Sequence, residues 1–236
     1  MKMDYDDFTV ILPTLNEEKT IGRLVRELMR SYKNIHILVV DDGSTDNTKD
    51  EVYEGLRKSH NVRFMDRTAT HSEKGLTASI VDGIMNSNTK FAIVMDADMQ
   101  HPPEIVGGVA KALWAGSDIA VASRVKVEGW ELHRKIISKT LITVGYVILF
   151  LRGRERCRDV FSGFFGVRKK LFEETYLGNK RRFVSGGYKV LFDLLKCLKR
   201  RQVKVAEVPY SFGVRKYGTS KAGIRQGMYL FRSFFS

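Results

Sequence analysis

The sequence predicts an α/β fold, with a mostly parallel, Rossmann-like sheet that carries helices on its faces. Short apolar runs alternate with amphipathic helical segments through residues 8–122. A continuously apolar strand is typical of a parallel sheet, because helices cover both of its faces. Three of these strands end in acidic residues, and ligands of open α/β sheets bind at the carboxyl ends of strands. The pattern therefore predicts both a fold class and the edge at which a site lies.

The first half of the chain provides five predicted strands. The first covers residues 8–12 and is expected to stop at Pro13, because proline is not a donor for a central strand. An amphipathic helix follows at 17–32, with an apolar residue every three or four positions. The same alternation predicts strands at 35–40, 62–65, 91–95 and 118–122, and helices at 45–59, 74–87 and 102–115. This order favours a doubly wound sheet.

The second half differs in character. It predicts helices at 130–151 and 186–199, strands at 161–167 and 203–208, and a basic, aromatic helix at 223–236. The apolar part of the long helix is shorter than the roughly 20 residues that a membrane span requires. Basic residues flank this part: Arg134, Lys135, Arg152, Arg154 and Arg156. We therefore expect amphipathic interface helices at about 132–151 and 223–236 that lie along a membrane surface. The alternative is that both helices simply pack on the sheet.

Composition limits the class of protein and its partners. Hydrophobic residues make up 43% and charged residues 28% of the 236 positions, which is enough apolar material for a globular core. Lys and Arg number 40 against 27 acids, so the net charge is +13. A nucleotide-bearing substrate, an anionic membrane surface or a nucleic acid would suit that charge. The two cysteines form no disulfide framework and indicate a reducing, cytosol-facing location.

The fourth strand ends in two aspartates. Asp96 and Asp98 are two residues apart, and Gln100 adds a neutral oxygen. A Mg²⁺ or Mn²⁺ ion held by one or two carboxylates completes its shell with water and phosphate oxygens. This spacing predicts a site for a metal–diphosphate. The alternative is that both acids cap the following helix.

A further carboxylate follows the second strand. Asp42 is placed to accept hydrogen bonds from ribose hydroxyls or from a base N–H group. Its alternative role is also that of a helix cap. The chain has neither a G-x-G-x-x-G fingerprint after the first strand nor a P-loop, which disfavours a dinucleotide or Walker-type site.

The motifs together resemble a known family. In order they are Pro13-Thr-Leu-Asn-Glu17, Val40-Asp-Asp-Gly-Ser-Thr-Asp46, Lys74-Gly-Leu76, Asp96-Ala-Asp-Met-Gln100-His-Pro-Pro, Ser123-Arg124, Ser162-Gly-Phe164, Glu207-Val-Pro-Tyr210 and Arg215-x-x-Gly-x-Ser-Lys221. The chain resembles family-2 glycosyltransferases of the GT-A fold, most closely the archaeal type of dolichyl-phosphate mannose synthase without transmembrane helices. The resemblance covers nearly the whole chain.

This resemblance implies roles for individual residues. The nucleotide pocket would comprise Pro13, Leu15, Glu17, Val40 and Asp42. The metal and diphosphate would lie on Asp96, Ala97, Asp98 and Gln100, with Arg124, Arg215 and Lys221 near the phosphates. Arg134 and Ser138 would hold the lipid phosphate, and the turn at 162–164 would face the acceptor. Leu15 stands where the family usually has Tyr, and Val160-Phe161 replaces the commoner Pro-x.

The implied activity is inverting transfer of a hexose, most simply mannose from GDP-mannose, onto dolichyl or another polyprenyl phosphate. A single domain, 1–236, would divide into a nucleotide-sugar half at 1–125 and an acceptor half at 126–236. The enzyme would be peripheral, on the cytoplasmic face of the membrane. A UDP-sugar donor, carrying glucose or an N-acetylhexosamine, is an alternative. A basic nucleic-acid-binding domain is a remote one, since no RRM, KH or helix-turn-helix signature is present.

Overall fold

A computed structural model describes residues 3–56, 60–68, 73–129, 131–187, 189–214 and 224–235. Two predicted site residues, Arg215 and Lys221, lie outside these ranges. The strands are β1 (Phe8–Thr14), β2 (His36–Asp41), β3 (Val62–Asp66), β4 (Phe91–Val94), β5 (Ile119–Val127), β6 (Phe165–Arg168) and β7 (Val205–Phe212). The helices are α1 (Ile21–Ser31), α2 (Thr48–Leu56), α3 (Leu76–Met85), α4 (Ile105–Trp114), α5 (Leu132–Leu151), α6 (Lys169–Gly178), α7 (Val190–Leu195) and α8 (Ile224–Phe235).

The strands form one seven-stranded sheet in the order β3-β2-β1-β4-β6-β5-β7. β6 runs antiparallel to β4 and β5, and the other pairings are parallel. The prediction of a mostly parallel, GT-A-like sheet is therefore confirmed. Because β1, β2 and β4 are mutually parallel neighbours, the acidic residues that follow them all lie at one edge of the sheet.

Two buried apolar clusters lie on opposite faces of the sheet. One contains the apolar stripes of α1 and α4. The other contains buried residues of α3, α6, α7 and α8 together with the C-terminal part of α5. Successive residues of a strand point to opposite faces, and accordingly Val10 and Leu12 of β1 belong to the first cluster while Ile11 belongs to the second. The burial of both faces explains why the strand sequences are continuously apolar.

The expected stop of the first strand at Pro13 is wrong. β1 continues to Thr14, and Pro13 pairs in register with Val40 of β2. The Ile11 carbonyl accepts the N–H of Met95, so the main-chain groups of Ile11 point toward β4. Pro13 is two residues later, and its main chain therefore points to the same side. The β4 ladder ends at Val94, opposite Ile11. Pro13 therefore lies where no strand requires its missing N–H.

The second half departs further from the prediction. No helix or strand is predicted for residues 168–185, where the structure has α6 and a short 3-10 helix at Lys180–Arg182. β6 begins four residues later than predicted because residues 161–164 form a turn in which Ser162 N–H donates to Asp159 O at 3.0 Å. β5 and β7 extend well past their predicted ends, since they pair with each other as far as Val127 and Phe212. The boundary proposed between two halves at residue 125 falls inside β5.

Helix α5 is exposed over much of its surface. Gly145 and Leu149 are its buried residues, and a Cβ built on Gly145 would lie 2.8 Å from the Phe161 ring. Large apolar side chains of α5 face solvent, among them Ile136, Val147 and Leu151. In the described part of the chain, no helix combines the length and the apolar character that crossing a lipid bilayer demands.

Candidate active site

The two predicted metal ligands lie in a tight turn directly after β4. Asp98 is buried, and its Oδ1 accepts the N–H of Gln100 at 3.0 Å. Met99 adopts a left-handed conformation with φ of 63°, which reverses the chain between the aspartates and Gln100. The side chain of Asp96 is 36% exposed. The turn therefore fixes one carboxylate within the protein and presents the other outward.

His101 supports this turn. Its ring stacks on Phe164 with a centroid separation of 5.1 Å and meets the edges of Tyr210 and Phe212. Burial lowers the pKa of His101 to about 4, so the ring is neutral at physiological pH. Its Nδ1 accepts the N–H of Asp96 at 3.1 Å, which places the ring proton on Nε2, 3.7 Å from Asp96 Oδ2. His101 is thus a positioning residue for Asp96.

Gln100 connects the turn to the end of β7. Its Nε2 donates to Gly213 O at 3.1 Å, and Gly213 N–H donates back to Gln100 O at 3.0 Å. In the described ranges, no group of three His, Cys, Asp or Glu residues is placed to hold a metal ion. Two carboxylates with oxygen ligands from outside the protein are what Mg²⁺ or Mn²⁺ accepts at a phosphate site. The chemistry of the turn therefore fits a divalent ion that is shared with a diphosphate.

The loops after β1 and β2 are tied together at the same edge. Asn16 N–H donates to Ser44 Oγ at 2.8 Å, and Thr45 N–H donates to Asn16 Oδ1 at 2.8 Å. Glu17 N–H donates to Thr48 Oγ1 at 2.8 Å. Asp41, which the sequence analysis gave no role, organises its own loop by accepting the N–H of Ser44 at 2.8 Å. These contacts form the wall on which the predicted nucleotide residues lie.

Asp42 has protein partners that sequence reasoning missed. Its Oδ2 accepts the N–H of Gly75 at 2.8 Å, and its Oδ1 forms a close ion pair with Arg67. Arg67 is buried and also contacts Asp82 Oδ2 through Nε at 2.7 Å and Glu73 O through Nη2 at 2.6 Å. One feature of the sequence could have identified Arg67, since it directly follows β3 and so lies at the same sheet edge as Asp42. Asp42 therefore organises this pocket whether or not it also meets a nucleoside.

The remaining predicted nucleotide residues differ in accessibility. The side chain of Val40 is fully buried in the core, so any contact from it to a nucleotide would come from the main chain. Pro13 and Ala97 are also buried. Leu15 is 36% exposed and Glu17 is half-buried, so both lie at the surface of the loop.

A cleft of about 750 Å³ lies between the ends of β5 and β7 and the helix α5. Its lining includes Arg124, Ser138, Arg158, Asp159 and Glu207. Arg124 grips Asp159 with two hydrogen bonds, from Nε to Oδ2 at 2.6 Å and from Nη2 to Oδ1 at 2.8 Å. Burial lowers the pKa of Arg124, but the Asp159 carboxylate outweighs that effect and the pKa is raised. Arg124 is therefore a permanently charged, fixed group at the mouth of the site.

One face of α5 forms the far wall of this cleft. Lys135, Ser138, Lys139, Ile142 and Thr143 line it. Successive helical residues are rotated by about 100°, so this face is centred near Lys135 and Ile142, and Ser138 and Thr143 lie at its two margins. Arg134, the other predicted lipid-phosphate ligand, lies about 40° beyond Ser138, outside this face, and does not line the cleft.

The 161–164 turn and Lys189 connect the cleft to the aspartates. A Cβ built on Gly163 would lie 3.5 Å from Asp96 Oδ2, so this turn covers the exposed aspartate closely. Lys189 Nζ donates to Phe161 O at 3.1 Å and supports the turn from below. Burial and the nearby Arg124 lower the pKa of Lys189 to about 7. Lys189 was not predicted as a site residue, because nothing in the local sequence pattern marks it.

Comparison with known proteins agrees with this geometry. The sequence model of Glycosyl transferase family 2 matches residues 9–176. The chain is 37% identical over 222 residues to a dolichol-phosphate mannosyltransferase of Pyrococcus furiosus. This alignment covers 90% of this chain and 58% of that protein. It is 32% identical over 233 residues to the polyprenol monophosphomannose synthase of Mycolicibacterium smegmatis, covering 93% of this chain and 83% of that one. The chain thus spans less than two thirds of its Pyrococcus relative.

Solved structures share the fold. Glucosyl-3-phosphoglycerate synthase from Mycobacterium tuberculosis, in complex with Mn²⁺, uridine diphosphate and glucosyl-3-phosphoglycerate, superposes with a TM-score of 0.65 at 18% identity, covering 96% of this chain and 76% of that one. The complex of the same enzyme with phosphoglyceric acid has a TM-score of 0.66 at 18% identity, with the same coverage. With the family match over most of the chain, these findings establish that the chain belongs to glycosyl transferase family 2 and is a glycosyltransferase of the GT-A fold.

Proposed function

We propose that this enzyme transfers mannose from GDP-mannose to a polyprenyl phosphate such as dolichyl phosphate, with inversion at the anomeric carbon. The observation that carries the proposal is the juxtaposition of the aspartate turn with the cationic cleft under α5. Such an arrangement provides one place for a metal–diphosphate and an adjacent place for a second phosphate. The names of the Pyrococcus and Mycolicibacterium relatives supply the identity of the sugar and of the lipid.

The donor site would be built from residues at the carboxyl ends of β1, β2 and β4. Pro13, Leu15, Glu17, Val40 and Asp42 would receive the nucleoside, while Asp96, Ala97, Asp98 and Gln100 would face the diphosphate. Asp96 and Asp98 would hold the divalent ion, and Gln100 is the further candidate ligand. When bound, that ion would stabilise negative charge on the departing nucleoside diphosphate.

The chain's own residues would orient the reactants. Asp159 fixes the guanidinium of Arg124, and this preorganised cation would stabilise phosphate charge without rearranging during the reaction. His101 holds Asp96, and Lys189 holds the turn above it. Arg215 and Lys221 would add positive charge near the diphosphate, as the family resemblance implies.

The acceptor side would use the cleft. Ser138 and Arg134 would bind the lipid phosphate, which is already an anionic nucleophile and needs no strong general base. Back-side attack would turn an α-linked donor into a β-linked product. The exposed apolar residues of α5 would lie in the membrane interface, so the enzyme would act as a peripheral protein on the cytoplasmic face. Residues 1–125 would then serve mainly the donor and 126–236 mainly the acceptor.

A panel of donors tests the proposal. The enzyme, Mg²⁺ or Mn²⁺ and a short polyprenyl phosphate are incubated with GDP-mannose, UDP-glucose or a UDP-N-acetylhexosamine, and lipid products are identified by mass. We expect product from GDP-mannose. Product formed from a UDP-sugar alone would replace this proposal with the alternative donor class.

A further inference from the structure

Beyond the active site, the molecule carries a cluster of six cations at the C-terminal end of α5. The cluster, here called the basic platform, consists of Arg152, Arg154, Arg156, Lys199, Arg200 and Arg201. The two contributing segments are far apart in sequence, and the fold brings them together. No feature of the proposed transfer reaction uses these side chains.

Main-chain pairing builds the platform. Arg154 and Lys199 form an antiparallel bridge, Glu155 N–H donates to Leu198 O at 2.9 Å, and Arg200 N–H donates to Gly153 O at 3.0 Å. Arg154 N–H in turn donates to Leu149 O at 2.8 Å, at the end of α5. The positions of the cations are therefore set by hydrogen-bonded backbone.

A single carboxylate offsets the six cations of the platform. Glu155 is the one acid within residues 152–156 and 198–202. Its carboxylate accepts main-chain N–H groups, from Arg156 at 3.1 Å and from Arg201 at 2.8 Å. In the part of the chain that the structure describes, none of the six cationic side chains forms an ion pair. Like charges gathered at this density repel one another unless an anionic surface covers them.

The platform also adjoins exposed apolar side chains. Leu151 is 76% exposed and Phe150 52%, immediately before Arg152. The guanidinium of Arg156 lies over the rings of Phe150 and Tyr146, at 4.8 and 5.3 Å from their centroids. Two apolar side chains beside a cationic surface fit the boundary between lipid headgroups and acyl chains. A nucleic acid duplex, which presents its phosphate backbone, would leave Leu151 in water.

We propose that the basic platform docks on the headgroups of anionic phospholipids while Phe150 and Leu151 enter the interface. This contact would orient the exposed face of α5, and with it the mouth of the cleft, toward the membrane that holds the acceptor. The inference rests on the proposed function only in taking the acceptor to be a membrane lipid. The new assignment is the lipid class and the set of residues that recognises it, including Lys199, Arg200 and Arg201.

Flotation of the whole chain with phosphatidylcholine vesicles, with or without phosphatidylglycerol, tests the proposal. Each Lys or Arg near an anionic surface strengthens binding about fivefold, so K199Q/R200Q/R201Q should bind phosphatidylglycerol vesicles about 100-fold more weakly. Binding by the unchanged protein should also weaken as salt rises. A matched control, R26Q/R30Q/K33Q, removes the same charge from exposed positions on and just after α1, on the other face of the sheet, and should bind as the unchanged protein does.

Three other results of these binding experiments would overturn the proposal. Equal loss in the control variant would mean that net charge alone drives binding, and no loss in either variant would remove the platform from the contact. Capture of a generic RNA by the platform at physiological salt, without vesicle binding, would identify a nucleic-acid surface instead. If the triple variant melts at a lower temperature, R152Q/R200Q carries the test, with an expected loss of about 25-fold.

A parallel transfer assay separates this inference from the proposed function. Short polyprenyl phosphate in detergent micelles requires no vesicle, so the triple variant should transfer mannose at the unchanged rate. If the unchanged protein transfers no mannose but shows the expected pattern of vesicle binding, the proposed function fails and the lipid contact stands. If transfer occurs and the vesicle pattern is absent, the reverse holds.

Discussion

Replacement of Asp159 by Asn probes the ion pair that fixes Arg124. Both side chains are largely buried, with 12% of the arginine and 5% of the aspartate exposed, and the shortest N–O distance is 2.6 Å. Removing one partner of a buried pair leaves an uncompensated charge and typically costs about 3 kcal/mol or more. For a chain of this length, that loss lowers the melting temperature by about 6–12 °C. Because the Arg124 guanidinium then loses the carboxylate that fixes its position, turnover should also fall at least about tenfold.

Thermal unfolding and steady-state kinetics measure these two effects. The matched control is Glu174→Gln, which breaks a solvent-exposed pair with Lys170 whose side chains are 65% and 82% exposed. Exposed pairs contribute little, so this control should shift the melting temperature by less than about 2 °C. If Asp159→Asn melts within 2 °C of the unchanged protein and retains full turnover, the ion pair neither stabilises the fold nor positions Arg124.

Four further substitutions test the donor and acceptor sides. Asp98→Ala should lower turnover by more than about 100-fold, because it removes a proposed metal ligand, and full turnover in EDTA would refute the metal site. Asp42→Ala should raise the donor KM more than it lowers kcat, and should also lower the melting temperature because Arg67 loses a partner; an unchanged donor KM would leave Asp42 with a structural role alone. Arg134→Ala should raise the KM for polyprenyl phosphate and leave donor affinity, measured by calorimetry with metal present, nearly intact. Lys135→Ala should raise that KM at least as much, and weakened donor binding with an unchanged acceptor KM would move this helix to the diphosphate site.

The sequence predicted the first half of the fold well because its signals are local. Continuous apolar runs identified β1, β2 and β4, and parallel pairing then required the acids after them to meet at one edge. The extension of β1 through Pro13 depended on where the neighbouring β4 ladder ends, which is a property of the sheet. Helix α6 was missed although Leu171, Phe172 and Tyr176 form a short apolar stripe, since few turns of helix give a weak periodic signal.

The site was predicted less completely because its supporting contacts are non-local. Asp159 reaches Arg124 across 35 positions, and Arg67 reaches Asp42 across 25. Periodicity contains no information about such pairs. The motif resemblance found the residues that would face substrates, while Asp159, Arg67 and Lys189 emerged from packing and electrostatics. Ser138 lines the cleft and Arg134 does not, because the two positions differ by about 40° around α5 and the lining face ends between them.

The anomeric configuration of the lipid product is the most direct measurement of the proposed transfer. In the proposed reaction, the lipid phosphate in the cleft directly attacks the donor held by Asp96 and Asp98. One displacement inverts the anomeric carbon, so GDP-α-mannose should give exclusively the β-mannosyl polyprenyl phosphate. The product's anomeric carbon–hydrogen coupling, measured by NMR, distinguishes the two configurations. An α-linked product, or lipid product formed equally well by Asp98→Ala, would contradict a metal-assisted displacement between these two sites.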